Sequence, residues 1–357
     1  MLRNQTRTIK IGSAVIGGGS SILVQSMCDT DTRNIPATVA QIHELEAAGC
    51  EIVRVAIVDM EAAEAIGKIK EQIQLPIVAD IHFDYRLALE AIKQGVDKLR
   101  INPGNIGSEE RVKAVADAAK SQGIPIRIGV NGGSLERAIL EKYQRPSAAA
   151  MVESALQHVA LLQKNAFEDI VVSLKASNVL ETVEAYRLMS KECDYPLHLG
   201  ITESGPPNTG IIRSSVGLGI LLAEGLGDTI RISLSGSPLE EVRVAWEILN
   251  NLDLRRRGAR LISCPTCGRR KGDVYGIASE VEKLLRSYQG PFLTVAVMGC
   301  EVNGPAEARD ADIGLALGKE KALLFVHGEV KEVLEPSQYL ERLEAAIIAY
   351  QPKCDAK

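Results

Sequence analysis

The sequence predicts a (β/α)8 TIM barrel followed by a small α+β module, and three observations carry that prediction. Between Ser20 and Asn250 a strand-like apolar run followed by a segment of helical apolar spacing occurs eight times. No glycine fingerprint marks the topological switch point that a doubly wound open sheet would need. Past the charged stretch Asp253-Leu254-Arg255-Arg256-Arg257-Gly258 the alternation stops and a different pattern begins.

Taken in order, a polar start leads into Thr8 to Ile16, where apolar and polar residues alternate before Gly17-Gly18-Gly19, as in a short hairpin arm. The predicted barrel strands are Ile22–Met27, Ile52–Ile57, Ile77–His82, Lys98–Asn102, Ile126–Asn131, Ile170–Lys175, Leu197–Thr202 and Thr229–Ser235. Each precedes a predicted helix, near 36–48, 60–72, 85–94, 109–122, 148–164, 179–191, 212–224 and 238–250. An unbroken repeat of this kind over ~250 residues is the signature of a closed barrel. The arginine-rich stretch reads as a solvated linker. Beyond it come a cysteine loop, a helix near 273–287, a strand over Phe292–Val297, a second cysteine loop, strands near 312–317 and 322–326, and a helix near 336–350. The predicted domains are therefore 1–254, a substrate-binding barrel, and 255–357, a compact module carrying the cysteine motifs.

Composition narrows the function classes. Aromatic residues make up 4% of the 357 residues, with a single tryptophan, Trp246, which disfavours recognition by base stacking. A formal net charge of −5 argues against general binding to nucleic acid or an anionic membrane, so any anion site must be a local focus of cations. The N-terminus has no apolar h-region and nowhere do 18 apolar residues run together, so a cytoplasmic protein with no membrane span is expected. Seven cysteines, odd in number and unevenly placed, do not form a secreted disulfide framework. Cys50, Cys193 and Cys354 read as ordinary thiols, while Cys28 follows a strand in a polar loop and stays open.

Strand alternation points to the barrel lumen. In Thr229-Ile230-Arg231-Ile232-Ser233-Leu234-Ser235 the apolar residues share one face, and in a barrel that face meets the helices while the polar one lines the interior. Arg127 with Asn131, Lys98 with Arg100 and Asn102, Asp80 with His82, and Ser173 with Lys175 repeat the pattern. Cations embedded in apolar strands are costly unless paired or bound to a ligand. Arg54, Arg100, Arg127, Lys175 and Arg231 outnumber Asp80 and Glu203, so the expected occupant is polyanionic, and a diphosphate fits the forked donors of arginine. The bland alternative places these cations in surface salt bridges or at the barrel's closed end. Asp80 and His82 suit an acid/base pair, a metal pair or a structural hydrogen bond. Glu203 falls out of phase with the polar face, so it lies past the strand end or is re-aimed by a bulge. His43, His158 and His327 read as structural, and His198 as undecided.

The cysteine loops read Ser263-Cys264-Pro265-Thr266-Cys267-Gly268 and Met298-Gly299-Cys300-Glu301-Val302-Asn303-Gly304-Pro305-Ala306-Glu307. Two thiolates spaced C-x-x-C and a third in a glycine-flanked turn can close on one metal centre. No fourth cysteine or suitably spaced histidine completes the set, which leaves Glu307 or Glu301 as an oxygen ligand. A [4Fe–4S] cluster with one exchangeable iron, a zinc site and unrelated buried thiols are all open on these residues alone.

Together with Gln25-Ser26-Met27-Cys28-Asp29-Thr30-Asp31-Thr32, Ala79-Asp80-Ile81-His82-Phe83, Arg100-Ile101-Asn102-Pro103-Gly104-Asn105, Arg127-Ile128-Gly129-Val130-Asn131 and Gly200-Ile201-Thr202-Glu203-Ser204-Gly205, these loops resemble the bacterial 4-hydroxy-3-methylbut-2-en-1-yl diphosphate synthase family over almost the whole chain. The resemblance implies a barrel joined to a ferredoxin-like, sulfite-reductase-like [4Fe–4S] domain, and a homodimer in which each cluster domain caps the partner's barrel. It implies reductive ring opening and dehydroxylation of 2-C-methyl-D-erythritol 2,4-cyclodiphosphate to (E)-4-hydroxy-3-methylbut-2-enyl diphosphate in isoprenoid biosynthesis, with ferredoxin or flavodoxin as electron donor. By position, Cys264, Cys267, Cys300 and Glu307 match the cluster ligands. Arg54, Arg100, Arg127, Lys175, Arg231 and Ser233 match the diphosphate-binding set, with Asn303 beside the cluster. Asp80, Asn131 and Glu203 match polar residues near the reacting carbons, and Glu203 would serve as proton donor if burial raised its pKa. Ala306 where glycine is usual, Arg213 where lysine is common, and Cys28 where threonine is expected are departures that touch no ligand.

Two rival readings make different predictions. A non-redox barrel lyase or transferase acting on a phosphorylated substrate, with a zinc-stabilised tail, would be colourless and need no reductant. An electron-carrier module docked on an inert barrel would have a fourth sulfur ligand and bind no diphosphate.

Overall fold

The computed structural model describes residues 3–300 and 304–352, and the chain divides into two compact units, Met1–Arg255 and Arg256–Lys357. Among the described residues no helix is long and apolar enough to cross a membrane.

The first unit opens with a hairpin, β1 (Ile9–Ile11) paired with β2 (Ala14–Ile16). Eight parallel strands follow: β3 (Leu23–Met27), β4 (Ile52–Ala56), β5 (Ile77–Asp80), β6 (Lys98–Ile101), β7 (Ile126–Asn131), β8 (Ile170–Lys175), β9 (His198–Leu199) and β10 (Thr229–Ile230). They hydrogen-bond in the order β8-β7-β6-β5-β4-β3-β10-β9, and a parallel bridge between Val172 and Leu197 joins the two ends. The sheet is thus closed on itself, a (β/α)8 barrel.

The helices are α1 (Ile35–Ala48), α2 (Met60–Lys70), α3 (Tyr85–Lys93), the short α4 (Pro103–Ile106), α5 (Glu109–Gln122), α6 (Arg137–Tyr143), α7 (Ala148–Lys164), α8 (Val179–Glu192), α9 (Pro207–Ala223) and α10 (Pro238–Asn251). Local chemistry sets several of their starts. Asn34, Asp59, Ser147 and Asn178 each accept a hydrogen bond from a first-turn amide, which satisfies a donor the helix cannot use itself. Outward strand residues such as Val53, Val55, Leu99, Ile101, Ile126 and Ile128 pack under the helices in one continuous apolar layer.

The hairpin proves to be a plug rather than an arm. Ile9, Ile11 and Ile16 are buried against Ile52, Val78 and Val171, inward residues near the N-terminal ends of β4, β5 and β8. Burying three isoleucines there is worth roughly 1.5–3 kcal/mol each and closes the bottom of the lumen to water. Arg255 also departs from the solvated linker expected of it. Its guanidinium pairs with Glu51 at 2.6 Å, donates to the Ile22 carbonyl and lies 4.5 Å over the Trp246 ring, so it fastens the last barrel helix to the first strand.

The second unit holds a five-stranded sheet in sequence order: β11 (Ala259–Ser263), β12 (Leu293–Met298), β13 (Ile313–Leu317), β14 (Ala322–Val326) and β15 (Glu329–Leu334). The first three strands are parallel and the last two join antiparallel, which makes the unit α+β. Helix α11 (Val274–Arg286) crosses from β11 to β12, α12 (Gly304–Asp310) follows β12, and α13 (Tyr339–Ile348) ends the unit. Val274, Val281, Leu285, Leu343 and Ile347 cover the inner strands.

Candidate active site

Period-two alternation turns alternate residues of the parallel strands inward, and the buried polar residues fall on that phase. Register sets Asp80 beside Arg100, Arg100 beside Arg127, and Asn131 beside Lys175 on neighbouring strands. Arg100, Arg127 and Lys175 are buried, and Arg54 and Arg231 are nearly so. The surface salt-bridge alternative fails for all five, because none lies on an exposed flank.

One carboxylate balances part of this charge. Asp80 accepts from Arg54 Nη2 at 2.9 Å and from Arg100 Nη1 at 3.1 Å, with His82 Nε2 at 3.2 Å. Burial alone would raise its pKa, but Arg54, His82 and Arg100 outweigh that and hold Asp80 well below the usual carboxylate range. It is an ionised acceptor that locks two guanidinium groups. His82, by contrast, is half exposed.

The remaining cations are under-compensated. Arg127 is fully buried, and its Nε and Nη1 have no hydrogen-bond partner among the described residues; the same holds for Nε of Arg54 and Nε of Arg231. Burial and the charges of Arg54 and Arg100 push Arg127 well below its ordinary pKa. Lys175 is lowered likewise by burial and by Arg127 and Arg231. Buried donors aimed at no acceptor cost about 1–3 kcal/mol each, more for charged groups, and an anion in the lumen offsets that cost. Two glycines make the space. A β-carbon at Gly129 would lie 2.5 Å from Arg100 Nε, and one at Gly200 would lie 2.7 Å from Lys175 Nζ.

Two further lumen residues, Lys98, which alternation places on the inner face, and His198, which the sequence leaves undecided, and one residue reaching in from a helix, Glu241, stand outside the predicted site set. Lys98 is completely buried with Gln25 Oε1 at 3.3 Å, and burial with the charge of Arg127 lowers its pKa well below normal. His198 is completely buried between Thr229 Oγ1 at 2.8 Å and Lys175 Nζ at 3.5 Å, and burial with the charge of Arg127 keeps it neutral. Glu241, from α10, reaches Arg231 Nη2 at 3.4 Å. Strand alternation does set Lys98 on the inner face and could have settled His198. Nothing in an amphipathic helix start distinguishes Glu241.

Glu203 lies past the end of β9, as one of the two expectations had it. The strand stops at Leu199, and Glu203 takes a left-handed φ of 52° with its side chain exposed. The burial that the proton-donor reading calls for is not provided within this unit. Arg213 donates to the Ser204 carbonyl at 3.3 Å and so braces the same loop. Asn131 ends β7 and Ser233 follows β10, both partly buried. Cys28 is a buried thiol pushed up to about 12, chiefly by desolvation, and is therefore inert at neutral pH.

In the second unit Cys264 follows β11, and Gly299-Cys300 follow β12, where Ser263 pairs with Val297 in parallel register. Both loops therefore leave the same sheet end from neighbouring strands. The Gly299 amide donates to Cys264 Sγ at 3.2 Å, and the Lys271 amide donates to the Gly299 carbonyl at 2.7 Å. Hydrogen bonds from the backbone and side chain of Arg269 lower the Cys267 thiol below its ordinary value, against opposing effects of desolvation and of Cys300. Glu307 sits exposed in the first turn of α12. Among the described residues no three His, Cys, Asp or Glu side chains stand close enough to hold a metal ion. Asn303 and Glu301 lie outside the described residues, as does Cys354. The donor set nonetheless fits an iron–sulfur group: three soft thiols, one of them already biased toward thiolate, and a backbone N–H directed at sulfur.

The GcpE TIM-barrel domain family matches residues 6–246, and the GcpE protein C-terminal domain family matches residues 260–349. The chain is 55% identical over 341 residues to the 4-hydroxy-3-methylbut-2-en-1-yl diphosphate synthase (flavodoxin) of Ruminiclostridium cellulolyticum, covering 96% of each. It is 54% identical over 346 residues to the enzyme of that name from Geobacter sulfurreducens, covering 97% of this chain and 98% of the relative. A Plasmodium falciparum HPPK-DHPS structure with pterin and p-hydroxybenzoate aligns with a TM-score of 0.51 at 12% identity, over 78% of this chain and 51% of that one, a likeness of fold.

Proposed function

Because the chain belongs to the GcpE family, we propose that its barrel binds the diphosphate of 2-C-methyl-D-erythritol 2,4-cyclodiphosphate and that Cys264, Cys267, Cys300 and Glu307 hold a [4Fe–4S] cluster. The chain is an iron–sulfur oxidoreductase of the methylerythritol phosphate pathway, and it converts that cyclic diphosphate reductively to (E)-4-hydroxy-3-methylbut-2-enyl diphosphate. The electron donor is of the ferredoxin or flavodoxin class, the latter carried in the relatives' names. The functional assembly in this reading is a homodimer, and the proposed division of labour is residues 1–254 for substrate and 255–357 for the cluster.

The observation that carries the reading is Arg127, fully buried with two donor nitrogens lacking an acceptor among the described residues. A diphosphate supplies acceptors to it and to the free Nε atoms of Arg54 and Arg231, while Arg100 is held in place by Asp80. Clustered cations in a water-poor lumen stabilise the charge that develops on phosphate as the ring opens. Ser233, just past β10, and Lys175, at the end of β8, add donors, and Asn131 and Asp80 line the region toward the reacting carbons. Glu203, on the braced loop beyond β9, supplies the proton with which the departing hydroxyl leaves as water, once a covering partner dries its surroundings. The bound cluster supplies electrons one at a time, which side chains cannot do. Asn303 would lie beside it.

The test is anaerobic reconstitution followed by iron and sulfide analysis and calorimetric titration with the cyclic diphosphate. About four iron and four sulfide per chain are expected. Arg127→Met should retain that iron while losing diphosphate binding. Zinc in place of iron, or binding unaffected by Arg127→Met, overturns the reading.

A further inference from the structure

Glu241 belongs to the first turn of α10, on the outside of the barrel, yet its carboxylate is 4% exposed and turned toward the strands. It gathers three donors from three places in the chain. Oε1 accepts the Leu234 backbone N–H at 2.9 Å, and Oε2 accepts from Arg231 Nη2 at 3.4 Å and from Ser26 Oγ at 3.3 Å. Ser26 lies on β3, Arg231 immediately follows β10, and Leu234 lies in the loop that leads into α10.

We infer that Glu241 is a positioning residue for anion binding: it fixes the Arg231 guanidinium and the segment bearing Ser233 in one geometry. This rests on the reading of the lumen as a diphosphate site. Arg231 Nη2 is committed to Glu241, while Nε is buried and has no partner among the described residues, so the carboxylate sets which edge of the guanidinium is left for a ligand. The Leu234 bond acts on the same unit. Ser233 lies between Arg231 and Leu234, so one side chain anchors both ends of the four-residue segment that offers a cation and a hydroxyl to the anion. Asp80 pairs with Arg54 and Arg100, so Glu241 is the carboxylate that pairs with Arg231. Glu241 itself touches no ligand and acts through Arg231.

The experiment is calorimetric binding of the cyclic diphosphate to the full-length, anaerobically reconstituted chain, comparing parent, Glu241→Gln, Arg231→Ala and the double variant. Glutamine keeps an oxygen for the Leu234 amide but removes the charge that holds Arg231. The expected result is a Kd raised roughly tenfold in Glu241→Gln, with no further loss in the double variant beyond Arg231→Ala, because both changes act through one guanidinium. Thermal melting of each protein separates this from a structural role, which would lower the melting temperature and leave Kd unmoved. Should Glu241→Gln not fold, Glu241→Asp carries the same comparison. An unchanged Kd, or losses that add in the double variant, overturns the inference alone. A parent that binds no cyclic diphosphate overturns it together with the function reading.

Discussion

Gly200 leaves the space that Lys175 occupies: a β-carbon there would lie 2.7 Å from Lys175 Nζ and 2.8 Å from the Arg231 carbonyl oxygen. The ammonium could swing aside, but the carbonyl is main chain just past β10, where the Arg231 N–H donates to the Leu199 carbonyl at 3.0 Å, and it cannot move cheaply. Gly200→Ala should therefore destabilise the barrel by about 1–3 kcal/mol through overpacking and displace Lys175 as well. Chemical denaturation checks the first consequence and diphosphate titration the second. Unchanged affinity would show that Lys175 does not reach the anion from its observed position.

Lys98 presents the opposite balance. It is completely buried with one neutral acceptor, Gln25, and its pKa is lowered by burial and by Arg127 and Arg54. A methionine of similar length removes a desolvated amine from the protein's interior. Lys98→Met should thus raise stability, by roughly 1–4 kcal/mol if the change resembles other replacements of buried charge. Diphosphate affinity should fall at the same time, since a cation of the lumen is lost. A stabilised variant with parental affinity would mean that Lys98 serves neither purpose.

How much of this was legible in the residues follows from which interactions are local. Arg54, Arg100, Arg127, Lys175 and Arg231 could be read as one inward set because strand alternation has a period of two and the outer face must be apolar to meet helices. The extent of β9 could not. His198 and Leu199 are its only strand residues, and the chain turns out through Gly200 to a left-handed Glu203, a change of direction set by the neighbouring loop and by Arg213 rather than by propensity. Strands β11 and β15 escaped because Arg260 and the sequence Glu329-Val330-Lys331-Glu332 carry charge on partly exposed sheet edges. The hairpin's role as a plug and the reach of Glu241 depend on residues far apart in sequence, so no window of the chain displays them.

Asp80 makes stability depend on pH in a direction that can be worked out. Its folded pKa is depressed below the ordinary 3.8, so its contribution is fully present above that value and is lost as pH falls through it toward the folded value. Asp80→Asn leaves Arg54 and Arg100 without their counter-charge, at a cost of about 3–5 kcal/mol at neutral pH. The gap in stability between parent and variant should stay level from about pH 8 to pH 5 and narrow progressively below pH 4. Denaturant midpoints measured across that range decide it. A gap that widens in acid would contradict the assignment of Asp80 as an ionised partner.

Gly299 gives a test of the cysteine loops that does not depend on turnover. Its amide donates to Cys264 Sγ, and a β-carbon at this position would lie 2.2 Å from Val274 Cγ2 and 3.3 Å from that same sulfur. Val274 opens α11 and is buried in the second unit's core, so it cannot retreat without shifting the helix. Gly299→Ala should move the loop carrying Cys300 away from the one carrying Cys264, separating two of the proposed ligands while all four are still present. Iron bound after anaerobic reconstitution should then fall toward the level of Cys264→Ser, and the visible absorption of the cluster should fall with it. The barrel, a separate compact unit, should keep its parental affinity for the cyclic diphosphate. Full iron loading in Gly299→Ala would show that the approach of these two loops is not what builds the site.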